Sequence, residues 1–145
     1  MGQGRADTAQ ERDESLAEDF RAVARMLRRA AAESLARWDV TPSQFRALRV
    51  LTRHGDMRPS ALAEHLCIAP RSTTEVLDGL AAKGLIERRP DARDRRATLV
   101  GPTGHGRAVG EQISAARGSQ SARFFEKLTP ADRAELARIL GELLD

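Results

Sequence analysis

Apolar residues recur every three or four positions along the first long segment of the chain, and this spacing predicts an amphipathic helix. The pattern begins near residue 15, because roughly the first 14 residues show no apolar periodicity and are interpreted as a frayed tail. It continues for about six turns through Leu16, Phe20, Val23, Leu27, Ala31, Leu35 and Trp38. So long an apolar face is hard to cover in a small chain, and we expect a partner subunit along it.

Three shorter helices are predicted next by their start and stop signals. Residues 41–44 (TPSQ) combine an N-cap threonine, a proline in the first turn and a capping-box glutamine, and this helix ends near Gly55. A third helix starts at residues 59–60, and after a short break a fourth runs from Pro70 to about Gly84. Two short helices joined by a tight turn are typical of a helix-turn-helix.

The pattern then changes to that of strands. Residues 85–89 (LIERR) and 97–100 (ATLV) are strand-like runs, and the polar segment 90–96 between them indicates a β-hairpin with an arginine-rich tip. A further helix is predicted over about 103–125, and residues 129–132 (TPAD) begin the last one. The expected fold class is mainly α with a small β-hairpin wing, that is, a winged helix-turn-helix.

Composition limits the classes of protein that fit this pattern. The chain has 145 residues, 41% of them hydrophobic, which suits one domain with its own core. It has no apolar run near the roughly 20 residues that cross a bilayer, and no signal peptide is visible. Its single cysteine excludes an intramolecular disulfide. We therefore expect a cytosolic protein without a membrane segment.

Charge is distributed unevenly along the chain. The net charge is only +3, but 22 of the 24 basic residues are arginine, as a GC-rich genome would also produce. Residues 1–20 carry −4, residues 21–58 carry +6 and residues 86–107 carry +3. Such clustering can form a surface that binds a polyanion.

The fourth helix has two faces. Thr73, Val76, Leu77 and Leu80 have core spacing, whereas the other residues of its first turns lie near the helix N-terminus, where side chains reach base edges and phosphates: Arg71, Ser72, Thr74 and Glu75. Arg71 is suited to guanine and Glu75 to the amine of cytosine. The alternative interpretation is an ordinary solvated helix start.

The hairpin tip is the more specific signal. It holds Arg93, Asp94, Arg95 and Arg96 within seven residues that also include Asp91. An arginine at a hairpin tip fits the narrow minor groove, and Asp94 is able to hold such an arginine in an extended pose. A salt-bridged polar loop is the alternative.

These segments resemble the MarR family of bacterial transcriptional regulators. The resemblance is carried by residues 60–66 (SALAEHL), 76–80 (VLDGL), 83–88 (KGLIER) and 91–97 (DARDRRA), with 103–106 (TGHG) where the family usually has LTxxG. The wing motif after KGL is the most specific part.

The resemblance implies more than the spacing does. It implies homodimers whose dimerisation helices, here residues 15–40 and 103–145, flank a winged helix-turn-helix at 41–102, and which act as repressors on pseudo-palindromic DNA. Arg96 would enter the minor groove with Asp94 orienting it, while Arg71, Ser72, Thr74 and Glu75 would face the bases and Ser60 would join the DNA-binding set. Many members release DNA when a small aromatic ligand binds, and no cofactor is implied.

Some positions depart from the family pattern or leave alternatives open. Ala69 replaces a frequent serine N-cap, and Glu75 replaces a frequent basic residue, so Glu75 either reads cytosine or is neutralised by Arg71. Cys67 lies at the helix-turn-helix turn and is interpreted as a small buried side chain.

No set of catalytic residues is visible, and we predict that the chain is not an enzyme. The three histidines have no mutual metal-ligand spacing, so no metal is assigned. A protein-binding winged helix without specific DNA binding, or a metal- or redox-sensing variant, is the alternative function. Trp38 is interpreted as core or interface filler, or, with Arg37, as the lining of a ligand pocket.

Overall fold

The computed structural model describes the backbone of residues 3–145 and the side chains from residue 8 onward. The described residues form helices and one antiparallel hairpin, in the order α1 (Gln3–Ala36), α2 (Pro42–His54), α3 (Pro59–Leu66), α4 (Pro70–Ala82), β1 (Ile86–Pro90), β2 (Thr98–Pro102), α5 (Gly104–Phe124) and α6 (Pro130–Leu144). The predicted fold class, a mainly helical chain with a two-stranded wing, is confirmed.

The chain divides into two compact units, one formed by residues 1–31 and 120–145 and the other by residues 32–119. All buried apolar side chains of the described residues belong to the second unit, where α2, α3 and α4 pack on one another. In this unit α2 and α3 also pack on β2, and α4 packs on β1. The side chains at its centre are Leu35, Phe45, Leu48, Leu51, Leu62, Leu77, Leu80, Val100 and Ile113. This core fixes the helices and the hairpin that form the candidate site.

Local signals set the helix boundaries in this unit. The Thr41 hydroxyl accepts a hydrogen bond from the Gln44 amide at 3.1 Å, and the Gln44 side chain accepts one from the Thr41 amide at 3.2 Å, so the predicted capping box is present. Gly55 ends α2 with φ of 82°. Cys67 ends α3 with φ of 54°, a left-handed conformation that turns the chain into α4.

The hairpin has a regular register that pairs Ile86 with Pro102 and Pro90 with Thr98. A backbone bridge extends this small sheet, because Met57 donates to the Val100 carbonyl at 3.0 Å and accepts from the Val100 amide at 2.8 Å. The wing is thereby attached to the segment that leads into α3. Gly106 is required nearby, since a β-carbon there would collide with the carbonyl oxygen of Leu85.

The start of α1 was predicted wrongly. The helix begins at Gln3, whereas the sequence pattern predicted a frayed tail as far as about residue 14. Apolar periodicity reports which side of a helix is buried, not whether a helix forms. Residues 3–14 are rich in alanine, glutamine, glutamate and arginine, which favour helix without any apolar face.

The described part of the first unit has no hydrophobic core within a single chain. None of its described side chains, residues 8–31 and 120–145, is buried. Large apolar side chains on two of its helices are exposed instead. They are Leu16, Phe20, Val23 and Met26 on α1, and Ile139, Leu143 and Leu144 on α6. Leu16, Phe20 and Val23 belong to the predicted apolar face of α1. No helix within the described residues is long and apolar enough to span a membrane.

Candidate nucleic-acid interface

The first turns of α4 present a polar face to solvent and an apolar face to the core. Thr73, Leu77 and Leu80 are buried against the other helices, as their spacing predicted. The predicted base-facing side chains Arg71, Ser72, Thr74 and Glu75 are all exposed. The helix therefore presents all four on its exposed side.

The backbone amides at the start of α4 are not capped by a side chain of the N-cap residue. Ala69 makes no side-chain cap bond, so the helix begins without the polar cap that a serine would provide. The hydroxyl of Thr74 donates to the Pro70 carbonyl at 3.1 Å, which leaves its oxygen lone pairs facing outward. Amide groups at an uncapped N-terminus suit a phosphate oxygen.

Arg71 and Glu75 form an ion pair one turn apart. Arg71 Nε lies 3.7 Å from Glu75 Oε1, and both side chains are largely exposed. An exposed pair of this kind contributes at most about 1 kcal/mol, so it separates easily when a base or phosphate competes for the arginine. Of the two roles predicted for Glu75, this geometry favours neutralisation by Arg71.

The hairpin tip is a closed polar turn with outward-facing arginines. Arg93, Asp94, Arg95 and Arg96 are all exposed. Asp94 Oδ1 accepts a hydrogen bond from the backbone amide of Arg96 at 3.1 Å. Asp94 thus contacts the main chain of Arg96, and the guanidinium that it faces is that of Arg58, at 3.5 Å.

Ser60 lies in the first turn of α3, exposed and next to Pro59. Its neighbour Arg58 was absent from the residues singled out in the sequence. Arg58 Nη2 contacts Asp91 Oδ2 at 3.1 Å, so the start of α3 and the wing tip are joined by a side chain. Local sequence carries no signal for this contact, because its two residues are separated by 33 positions.

A basic groove on α2 was also missed. It has a volume of about 400 Å³, and its polar lining is wholly basic, with His54 and His65 stacked at 4.8 Å between ring centroids. The groove is lined by Phe45, Arg46, Arg49, Val50, Arg53, His54, His65, Leu66 and Arg117. The arginines repeat along α2 at helical spacing, a signal that was available in the sequence.

The predicted ligand-binding pair is brought together at the end of α1. The guanidinium of Arg37 lies 5.3 Å from the centroid of the Trp38 ring. Trp38 is half-buried against the core, and its indole donates to Gln112 Oε1 at 3.1 Å. Trp38 therefore has a packing role, and the ligand-binding role remains a prediction.

Cys67 differs from its prediction, because it is exposed and not buried. Its backbone is left-handed, and its Sγ donates to the Glu64 carbonyl at 3.5 Å. Among the described side chains, no three histidine, cysteine, aspartate or glutamate residues come together in a way that would hold a metal ion.

Three packed helices, of which the last has an exposed polar start, followed by an arginine-rich hairpin, define the winged helix-turn-helix class of protein. Comparison with known proteins gives the family. The MarR family model matches residues 40–98. The transcriptional repressor MdtR of Bacillus subtilis is 32% identical over 111 residues, which cover 77% of this chain and 72% of MdtR. The chain belongs to the MarR family.

Solved structures agree with this assignment. YusO from Bacillus subtilis is 28% identical, with a TM-score of 0.82 over 94% of this chain and 96% of that one. A MarR variant from Escherichia coli, crystallised with operator DNA, is 29% identical, with a TM-score of 0.74 over 90% of this chain and 94% of that one. The relatives are transcriptional regulators, which confirms the prediction that this chain is not an enzyme.

Replacing Glu75 with glutamine tests its two predicted roles. We expect Glu75→Gln to raise affinity for an operator duplex and for a scrambled duplex by the same factor, about two- to fivefold, because it removes one negative charge near phosphates. Fluorescence anisotropy on both duplexes measures this. A loss confined to the operator duplex would instead show that Glu75 reads a base.

Proposed function

We propose that the chain is a homodimeric repressor that reads a pseudo-palindromic operator. The observation that carries this proposal is the joint exposure of the α4 start and the wing tip, with arginine on both. The related Escherichia coli protein crystallised with operator DNA supports it. Regulation of chromosomal genes would take place in the cytoplasm, at the nucleoid.

The readout we propose has two parts. Arg71, Ser72, Thr74 and Glu75 face the major groove with Ser60 beside them on α3, and Arg96 enters the minor groove with Arg93 and Arg95 near phosphates. Each groove needs a different element, because the major groove accepts a whole helix whereas the minor groove accepts a side chain. Asp94 fixes the backbone from which the Arg96 side chain projects.

Dimerisation is supported by the exposed apolar residues of the first unit. These residues lie on α1 and α6, the helices that the sequence assigned to the dimer interface. Burial against a second copy would remove their apolar surface from water. A two-fold dimer then presents two wings and two copies of α4, and half-sites about 10 bp apart match that symmetry.

The alternative function is a winged helix that binds protein without reading DNA. A wing of that kind would more often be apolar or mixed, whereas three of the seven residues 91–97 here are arginines. Equal, weak binding to operator and scrambled duplexes would favour this alternative. Selection from random duplexes would then separate a missed operator from a lack of sequence preference.

Replacing Arg96 with alanine tests the minor-groove role. We expect Arg96→Ala to weaken binding to DNA from upstream of its own gene by about tenfold or more, because the narrow minor groove has a strong negative potential that attracts an inserted arginine. Anisotropy at two salt concentrations measures this. Arg123→Ala, which removes an equal charge from the end of α5, is the matched control, and sedimentation verifies the dimer. Unchanged affinity would exclude Arg96 from the interface.

We also propose regulation by a small aromatic ligand near Arg37 and Trp38. The indole supplies an aromatic face, and the adjacent guanidinium supplies a positive charge, which together suit an aromatic acid or a phenol. Repression itself does not require such a ligand, so this proposal can fail while the DNA-binding proposal stands.

The single tryptophan makes the ligand proposal measurable. We expect an aromatic acid or phenol that releases operator DNA to change the fluorescence of Trp38, because it displaces the Arg37 guanidinium from the ring. Titration of a panel of such compounds measures both effects together, with Arg37→Ala as the variant that weakens them. Release of DNA without any change in fluorescence would place the ligand elsewhere.

A further inference from the structure

Arg58 connects two elements that are separate in sequence. It lies at the residue before α3, in an extended conformation, and makes no cap bond to its own helix. Its guanidinium Nη2 instead lies 3.1 Å from Asp91 Oδ2 and 3.5 Å from Asp94 Oδ2. One side chain therefore holds both carboxylates of the wing tip.

The backbone next to Arg58 is fixed to the same hairpin. Met57 exchanges two hydrogen bonds with Val100 on β2, at 3.0 and 2.8 Å. The guanidinium thus starts from an anchored main chain, which lowers the conformational entropy lost when the side chain reaches the wing. The wing is attached at its base by backbone and at its tip by Arg58.

The two carboxylates also determine the shape of the tip. Asp91 Oδ1 accepts the Arg93 amide at 2.9 Å, and Asp94 Oδ1 accepts the Arg96 amide at 3.1 Å. The hydrogen bond from the Arg93 amide, and after it the one from Arg58, hold the pKa of Asp91 below its ordinary value. Asp91 is only 13% exposed, and its lowered pKa keeps it ionised at neutral pH, so its charge attracts a nearby cation.

Arg58 supplies the ion pair to this carboxylate, and Arg93 adds a weaker charge interaction that also lowers the pKa of Asp91. Within the described part of the chain, Arg58 is the residue that forms ion pairs with Asp91 and Asp94, and Arg93, Arg95 and Arg96 form none. If Arg58 were absent, two neighbouring carboxylates would attract the nearest guanidinium groups, which are those of the tip. If the aspartates bound these guanidinium groups, the tip arginines would no longer be available for the proposed contacts with DNA.

We propose that Arg58 is a positioning residue for the wing: by binding Asp91 and Asp94, it fixes the turn and leaves the tip arginines free for DNA. This deepens the proposed function and rests on it. Arg58 acts through the two aspartates and not through a contact of its own with phosphate. Its effect on DNA binding should therefore disappear when the aspartates are uncharged.

A double-mutant cycle tests this mechanism. Arg58→Ala should weaken operator binding about tenfold, in the range of coupled charge networks. In a background carrying Asp91→Asn and Asp94→Asn, whose side-chain oxygens still accept the backbone amides, the same change should cost less than about twofold. An equal loss in both backgrounds would identify Arg58 as a direct phosphate contact and overturn the proposal.

Hydrogen exchange on the free protein tests the structural half without DNA. The Arg93, Arg96 and Ala97 amides should exchange faster in Arg58→Ala than in the wild type, and Arg58→Lys should be intermediate because an ammonium lacks the planar fork. Arg138→Ala is the control, since Arg138 also binds two carboxylates, Glu135 and Glu142, but on α6. It should leave amide exchange at the wing unchanged.

The two experiments separate failure of this proposal from failure of the proposed function. Unchanged exchange in Arg58→Ala would overturn the positioning role, whatever the DNA affinity is. Wild-type protein that binds no duplex would instead reject the DNA-binding proposal, while faster exchange in Arg58→Ala would still establish that Arg58 orders the tip.

Discussion

The architecture depends on covering the apolar side chains of α1 and α6, which are exposed to water in a single chain. The described part of the first unit contains no buried side chain, whereas residues 32–119 contain a dense core. Helices without a buried face are stabilised little by propensity alone. A second copy of the chain is the simplest source of the missing contacts, and the two-fold symmetry it brings would determine the spacing of the DNA-facing elements.

Within the second unit, a few backbone positions direct side chains outward. Cys67 turns α3 into α4 through a left-handed conformation, and Gly106 lets α5 approach Leu85 closely. The bridge between Met57 and Val100 then places Arg58 within reach of the wing. The core thus fixes the start of α4 and the base of the wing, and Glu75 and Arg58 form ion pairs at these two elements.

Features set by neighbouring residues were predictable from sequence, and those set by distant contacts were not. The capping box at Thr41 and the exposed face of α4 follow from local spacing. The helical start of α1 was missed because it has no apolar face, and the exposure of Cys67 depends on a turn conformation that composition does not reveal. The pairing of Arg58 with Asp91 joins residues 33 positions apart and needed the folded chain.

The number of chains in the DNA complex tests whether a second copy covers the apolar faces of α1 and α6. Native mass spectrometry of the protein with a selected operator duplex, together with sedimentation of the free protein across a concentration series, counts the chains in each state. We predict a dimer in the free protein and two chains on each operator. A monomer that binds one duplex with full affinity would contradict it, because the apolar faces of α1 and α6 would then have no second copy to cover them.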